Sequence, residues 1–119
     1  MADRKAIFIV EDEPMIGMML EDFLETLGYA PVAIAETLVL AEEKAKSVPF
    51  DGAILDCNIG TEKVWPVADY LMGKGVPILF ATGGNSDEIP ERFADCPSLE
   101  KPYTMGNVEI ALAELFGAG

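Results

Sequence analysis

The stretch Gly52–Gly60, GAILDCNIG, decides the fold. A short apolar run, Gly52–Leu55, passes directly into a carboxylate, Asp56, and then into a turn-like segment. An apolar run of this length between turn signals is typical of a strand that is buried on both faces. The same design occurs earlier, where Ala6–Val10 (AIFIV) leads into the acidic sequence EDEP. Two buried strands that each end in acids predict one shared site.

Length and composition limit the class of protein. With 119 residues, half of them hydrophobic, the chain predicts one globular domain. No apolar run approaches the ~20 residues that span a bilayer, and no signal peptide opens the chain, so we expect a cytoplasmic protein without a membrane partner. The two cysteines, Cys57 and Cys96, match no zinc motif, and the absence of histidine argues against a histidine-dependent enzyme. A net charge of −13 argues against nucleic-acid binding.

Five short apolar runs alternate with segments of helical spacing. The predicted strands are Ala6–Val10, Pro31–Ala35, Gly52–Leu55, Val76–Ala81 and Pro97–Leu99. The predicted helices are a first one with a face from Ile16 to Leu27, a second over Glu36–Lys46, a third from Trp65 to Gly73, and a last one behind a Thr104 cap. The polar stretch Asn85–Asp95 predicts only a short or frayed helix. Five βα repeats with buried strands predict an α/β protein whose parallel sheet is covered on both faces.

Polar residues follow the predicted strands at one edge. Glu11 and Asp12 follow the first strand, Asp56 the third, Thr82 the fourth and Lys101 the fifth. Because ligands of such folds bind at the carboxyl ends of the strands, these side chains should meet in one crevice. Three acids alone would take up protons, whereas a divalent cation would balance them, and an oxygen-only ligand set favours Mg²⁺. Asp56 could then be a nucleophile that forms an aspartyl phosphate, with Lys101 and Thr82 stabilising the transferred oxygens.

The motifs VEDEP, ILDCN, FATGG and LEKPY, in this order and spacing, resemble those of a bacterial response-regulator receiver domain over essentially the whole chain. The resemblance implies a flavodoxin-like, doubly wound sheet with strand order 2-1-3-4-5 and a (βα)₅ pattern. It implies that Asp56 is the phosphorylated aspartate. The implied ligands of Mg²⁺ are Glu11, Asp12, Asp56 and the backbone carbonyl of Asn58. Thr82 resembles the switch hydroxyl and Lys101 the invariant lysine, which precedes a cis bond to Pro102.

A subfamily resemblance comes from Val76–Gly84, VPILFATGG. It is similar to the PFxFATG[G/Y] signature of stand-alone receivers, the FATGUY group, with Ile78 in place of the first Phe. Receivers usually carry an aromatic residue three positions before the lysine, where this chain has Ser98. The residues expected to take part in the switch are Gly83, Gly84, Ser98 and Pro102. We hypothesise that phosphorylation orders or re-seats residues 83–97.

The predicted function is that of a stand-alone response regulator, with residues 1–119 as a single receiver domain and no output domain. Asp56 would accept a phosphoryl group from a histidine kinase or a histidine phosphotransfer protein and signal by protein contacts or onward transfer, as a switch more than an enzyme. In receivers the first helix docks the phosphodonor, and Met15 and Met18 lie off its apolar stripe, so we expect both to be exposed. Two alternatives are a small Mg²⁺-dependent phosphatase, against which Asn58 stands where a second acid is usual, and a receiver-like binding module that is not phosphorylated.

Overall fold

The computed structural model describes residues 4–83 and 89–117, and its core is a five-stranded parallel sheet. The sheet strands are β1 (Ala6–Val10), β2 (Ala30–Ala35), β3 (Gly52–Asp56), β6 (Ile78–Thr82) and β7 (Ser98–Glu100), and a small antiparallel hairpin comprises β4 (Asn58–Ile59) and β5 (Glu62–Lys63). The α-helices are α1 (Pro14–Thr26), α2 (Leu38–Ser47), α3 (Trp65–Gly73) and α4 (Met105–Leu115), and a 3₁₀-helix covers Glu91–Phe93.

The order of the sheet is β2-β1-β3-β6-β7. When the two hairpin strands are left out of the count, this is the predicted flavodoxin-like order 2-1-3-4-5, which is therefore confirmed. The strand order reverses between β1 and β3, whose register pairs Val10 with Leu55. The loops that follow these two strands consequently diverge to opposite faces of the sheet and leave a crevice at its carboxyl edge.

Two hydrophobic clusters lie on the two faces of the sheet. On one face, residues of α1 and α4 pack on the strands, including Leu20, Leu24, Val108 and Leu112. On the other face, α2, α3 and the 3₁₀-helix contribute a second cluster around Phe8, Phe80 and Phe93. Every residue of β3 and β6 is buried, which explains why these strands read as continuous apolar runs.

Local signals in the sequence set the helix ends. At the end of α1, Gly28 adopts a φ of 93°, and Tyr29 N–H donates to Leu24 O at 2.8 Å, which is a Schellman arrangement. Thr37 caps α2 by accepting from Leu40 N–H at 3.1 Å. Thr104 caps α4 in the same way, accepting from Asn107 N–H at 3.1 Å.

The structure differs from the predicted elements in a few places. The hairpin β4–β5 follows Asp56 where the sequence predicted only a turn-like stretch. Asp56 is itself the last residue of β3 instead of the first residue after it. The described part of the polar stretch Asn85–Asp95 contains one 3₁₀ turn and no α-helix, in line with the predicted short fourth helix. Gly84 lies outside the described residues.

In the described ranges, no helix combines the length and the apolar character that a membrane crossing would require.

Candidate functional site

The carboxyl edge of the sheet carries three buried polar side chains. Glu11 follows β1, Asp56 ends β3 and Thr82 ends β6, with exposed fractions of only 1%, 5% and 3%. Lys101 follows β7 and reaches the same place from the end of the sheet. The register of β3 against β6 pairs Asp56 with Ala81, so Thr82 lies one residue further toward the edge. The predicted convergence of these residues is therefore what the structure contains.

The shortest contact in the site joins Lys101 to Asp56. Lys101 Nζ donates to Asp56 Oδ2 at 2.6 Å and lies 3.3 Å from Glu11 Oε1. Burial by itself lowers the pKa of Lys101, but the hydrogen bond and charge of Asp56, together with Glu11, raise it above its ordinary value. Lys101 is therefore a fixed positive charge that holds one oxygen of Asp56.

Three carboxylates surround a common point. Glu11, Asp12 and Asp56 each offer an oxygen, and these oxygens lie within 4.8 Å of one another. Burial, followed by the charge of Asp56, raises the pKa of Glu11 to about 7. Like charges this close disfavour full ionisation, and a divalent cation removes that penalty.

This donor set fits Mg²⁺. All three candidate ligands are carboxylate oxygens, which a hard cation prefers. Glu11 Oε2 accepts from Glu13 N–H at 3.1 Å, whereas Glu11 Oε1 is buried and, within the described residues, makes no hydrogen bond. An oxygen in that condition has free capacity to bind a cation, with Lys101 as its present ionic neighbour.

The hairpin β4–β5 closes over one side of the acids. Gly60, at a φ of 64° in its turn, donates its N–H to Asp12 Oδ2 at 2.8 Å. Asn58 N–H donates to Asp56 Oδ1 at 3.2 Å, while the exposed Asn58 side chain accepts from Lys63 Nζ at 2.6 Å. The hairpin thereby fixes Asp12 and Asp56 relative to each other, a role that the sequence analysis did not assign to Gly60 or Lys63.

Of the predicted switch residues, Gly83, Ser98 and Pro102 lie in the described part of the chain. Lys101 N–H donates to Thr82 O at 2.8 Å, so the backbones of these two residues are linked directly. Gly83 follows as an exposed residue, and the Lys101–Pro102 bond is cis, as the resemblance implied. Ser98 is exposed on β7, in register with Phe80.

Aromatic bulk lies on the neighbouring strand instead of at position 98. Phe80 of β6 packs 5.7 Å from Trp65 and 5.3 Å from Phe93, measured between ring centroids. Trp65 is half-buried and packs in this cluster.

On α1, Met15 and Met18 are 83% and 62% exposed, which confirms the predicted exposure. The helix begins at Pro14, so both methionines lie within two turns of the acidic crevice. They form an apolar patch beside the site.

One buried residue of the site was missed. Tyr103, two residues after Lys101, is only 6% exposed. Burial, followed by the charges of Glu11 and Asp56, raises its pKa above the ordinary value. The position in the LEKPY motif was the available signal, but only its lysine and proline were interpreted.

The chain is similar to proteins of known structure over nearly its whole length. The chain is 48% identical to SdrG from Sphingomonas melonis Fr1, with 98% of this chain and 99% of the SdrG chain covered and a TM-score of 0.85. A BeF3-activated conformation of SdrG, from Pseudomonas melonis Fr1, matches with 45% identity, coverage of 97% and 98%, and a TM-score of 0.80.

Two further proteins match more distantly, and a scan against protein-family models matches none. The phyllosphere-induced regulator PhyR of Methylorubrum extorquens is 32% identical over 117 residues, which cover 91% of this chain and 42% of PhyR. The chain thus spans less than half of that curated relative. The receiver domain of the sensor histidine kinase PA1611 from Pseudomonas aeruginosa, solved with magnesium in its active site cleft, shares the fold at 23% identity, with 98% of this chain and all of that chain covered and a TM-score of 0.81.

Proposed function

The chain belongs to the receiver-domain family of response regulators, and from that premise we propose that it is a phosphorylation switch whose acceptor is Asp56. The donor is a histidine kinase or a histidine phosphotransfer protein. The observation that carries this proposal is the position of Asp56, which ends β3 with 5% exposure, contacts the ammonium of Lys101 at 2.6 Å, and has a carboxylate oxygen within 4.8 Å of oxygens of Glu11 and Asp12.

Asp56 is held as a nucleophile by two donors. Lys101 Nζ binds Oδ2 at 2.6 Å and Asn58 N–H binds Oδ1 at 3.2 Å. In the transfer step, an oxygen of Asp56 forms a bond to phosphorus while the bond from phosphorus to the donor histidine nitrogen breaks, and its electron pair stays with the imidazole. Attack by water later releases inorganic phosphate and restores the carboxylate.

The carboxylates of the site repel a phosphoryl group unless a cation offsets their negative charge. Glu11, Asp12, Asp56 and the backbone carbonyl of Asn58 are the groups that would hold Mg²⁺. When bound, Mg²⁺ supplies positive charge that offsets the acids and the phosphoryl oxygens. Lys101 contributes a second cation at Asp56 Oδ2, and the Thr82 hydroxyl would donate to a phosphoryl oxygen.

Signalling is proposed to begin with Thr82 and Lys101. Replacing a carboxylate by an acyl phosphate adds about one negative charge to this edge. The backbones of Thr82 and Lys101 are joined because Lys101 N–H donates to Thr82 O. A displacement of either residue therefore also moves the loop that follows the other. Gly83 can absorb the resulting backbone rotation.

We further propose that the chain belongs to one subfamily of receivers, the stand-alone FATGUY group. The signature residues Pro77, Phe80, Ala81, Thr82, Gly83 and Gly84 support membership of the stand-alone FATGUY group. In such a receiver the signal passes to a partner protein by contact, or the phosphate is passed onward.

Mass spectrometry tests the proposed acceptor. Incubation with acetyl phosphate and Mg²⁺ should add one phosphoryl group to the wild type and none to Asp56→Ala. Asp95→Asn, which removes an exposed carboxylate outside the site, should accept phosphate normally. An adduct that persists in Asp56→Ala, or that is absent from the wild type, contradicts the proposal.

Turnover separates the switch from the phosphatase alternative. A phosphatase would release phosphate from a phosphomonoester over many cycles, whereas the proposed switch consumes one phosphodonor for each Asp56. Sustained hydrolysis of p-nitrophenyl phosphate that disappears in Asp56→Ala would favour the enzyme.

A further inference from the structure

Two buried side-chain oxygens in the described ranges lack a hydrogen-bond partner, and they are chemically complementary. They are Glu11 Oε1, an acceptor, and Tyr103 Oη, a donor. Glu11 is 1% exposed and Tyr103 6% exposed, so both side chains are shielded from bulk solvent. Leaving a buried polar atom unpaired is costly, and such atoms in folded proteins usually have a role.

The ring of Tyr103 is fixed by its surroundings. It packs in the cluster formed by α1, α4 and the sheet, together with Leu20, Leu24 and Val108. The chain after it is anchored by the Thr104 cap of α4. Tyr103 lies two residues after Lys101, whose Nζ is 3.3 Å from Glu11 Oε1. Among the charged groups that raise the pKa of Tyr103, Glu11 comes first and Asp56 second, after burial itself.

The existing bonds of Glu11 leave Oε1 available. Its other oxygen, Oε2, already accepts from Glu13 N–H at 3.1 Å. Lys101 Nζ lies 3.3 Å from Oε1 as an ionic neighbour and donates a hydrogen bond to Asp56 Oδ2 at 2.6 Å. Oε1 therefore has an ionic neighbour and still has room for a donor.

We propose that Tyr103 is a positioning residue for the magnesium site, whose hydroxyl donates to Glu11 Oε1 when the site is loaded and fixes the orientation of that carboxylate. This inference deepens the proposed function and rests on it. Groups that hydrogen-bond to metal ligands set ligand orientation, and their loss weakens metal binding. A phenylalanine would fill the same apolar space, so the hydroxyl is what distinguishes this role from simple packing.

Tyrosine NMR tests the contact in the unaltered protein. The chain has three tyrosines, Tyr29, Tyr70 and Tyr103, so a sample labelled with ¹³C at the ζ carbon gives three signals. Addition of Mg²⁺ should move the Tyr103 signal and leave the other two in place. Tyr29 stacks on Phe116 and Tyr70 lies on α3 beside Lys74, so both are internal controls. A Tyr103 signal that does not respond to saturating Mg²⁺ overturns the inference.

Removal of the hydroxyl tests its effect on affinity. Tyr103→Phe should bind Mg²⁺ about tenfold more weakly, at the low end of the range for groups that support a metal ligand. Tyr70→Phe, the matched control, should bind as the wild type does. Affinity is measured from the amide signals of residues 56–60 during Mg²⁺ titration, and urea denaturation in EDTA should show that Tyr103→Phe is as stable as the wild type.

These measurements distinguish a failure of the Tyr103 role from a failure of the proposed function. If the wild type binds Mg²⁺ and forms the phosphoryl adduct but Tyr103→Phe has the same affinity within twofold, the role of Tyr103 is wrong and the proposed function stands. If the wild type binds no Mg²⁺ and forms no adduct, both are wrong.

Discussion

Glu11 is almost fully buried next to Asp56, and burial, followed by the charge of Asp56, raises its pKa from 4.5 to about 7. A carboxyl group with a higher pKa in the folded chain holds its proton more tightly there than in the unfolded chain. The free energy of unfolding of the metal-free domain therefore falls as pH rises from 4.5 to about 7. The loss amounts to at most about 3 kcal/mol, because one pKa unit is about 1.4 kcal/mol.

Glu11→Gln removes this cost because an amide does not ionise. In EDTA at pH 8, the variant is expected to be more stable than the wild type by about 1–3 kcal/mol. At pH 4, where the wild-type carboxyl is protonated in both states, the difference should nearly disappear. Urea denaturation at the two pH values measures it, and a variant no more stable than the wild type at pH 8 contradicts the prediction.

Lys101 has a different role from the acids, and a substitution can separate the two. Lys101→Met keeps most of the aliphatic stem but removes the charge 2.6 Å from Asp56 Oδ2. Phosphorylation by acetyl phosphate should slow by a factor on the order of 10², as for loss of one preorganised donor. Mg²⁺ affinity should be kept or increase, because the acids lose a competing cation. Loss of Mg²⁺ binding in this variant would show that Lys101 organises the acids instead.

At the scale of secondary-structure elements, the regular βα repeat was predictable and the irregular connections were not. Buried parallel strands read as continuous apolar runs, and acids at their ends marked the crevice. The hairpin β4–β5 left no such signal, since its strands have two residues each and one of its bonds joins Gly60 to Asp12, 48 residues earlier. Tyr103 was missed for a related reason: only tertiary packing shows that its side chain is buried with an unpaired hydroxyl.

The 3₁₀-helix is attached to α3 by one ion pair and one aromatic contact. Arg92 Nε and a second guanidinium nitrogen donate to the two oxygens of Asp69 at 2.8 and 3.0 Å. Phe93 beside it is 1% exposed and packs against Trp65 and Phe80. This attachment lies within residues 83–97, the segment that we hypothesise phosphorylation to order or re-seat.

Arg92→Met should loosen that attachment. Amide hydrogen exchange of residues 91–96 is expected to become several-fold faster, with exchange in β3 and β6 unchanged, because the sheet does not depend on the pair. Lys74→Met, which removes an exposed cation from the C-cap of α3 without touching Asp69, is the control. The hypothesis that phosphorylation re-seats residues 83–97 is tested in the same experiment: adding BeF3 and Mg²⁺ should change protection at residues 89–97, and identical protection would refute it.

Substitutions on the exposed face of α1 test whether this helix binds the phosphodonor protein. Met15→Lys and Met18→Lys should slow phosphotransfer from a histidine phosphodonor protein by about tenfold each, since both side chains lie in the patch next to the crevice and a charge there opposes apolar docking. Phosphorylation by acetyl phosphate, which needs no docking, should be unchanged. Met72→Lys on α3, where methionine is 40% exposed, is the matched control. Equal transfer rates in all three variants would exclude α1 from the docking surface.

At the scale of the whole molecule, a net charge of −13 on 119 residues makes self-repulsion a general cost of folding. Monovalent salt screens it, so added NaCl should raise Tm whether or not a metal site exists. Acidic proteins thus respond to any cation, and a rise of Tm in MgCl₂ alone says little about specific binding. The informative comparison holds ionic strength constant.

At matched ionic strength, Mg²⁺ at ten times its Kd should stabilise the wild type by roughly 1.4 kcal/mol beyond the effect of NaCl, because it binds only the folded chain. Asp12→Asn should lose this increment, since it removes one of the three converging carboxylates. Asp95→Asn removes the same charge from an exposed position outside the site and should keep the increment in full. The two variants have the same net charge. If both lose the Mg²⁺-dependent stabilisation, the effect comes from the general electrostatic field of the molecule. If only Asp12→Asn loses it, Mg²⁺ binds at the carboxyl edge of the sheet.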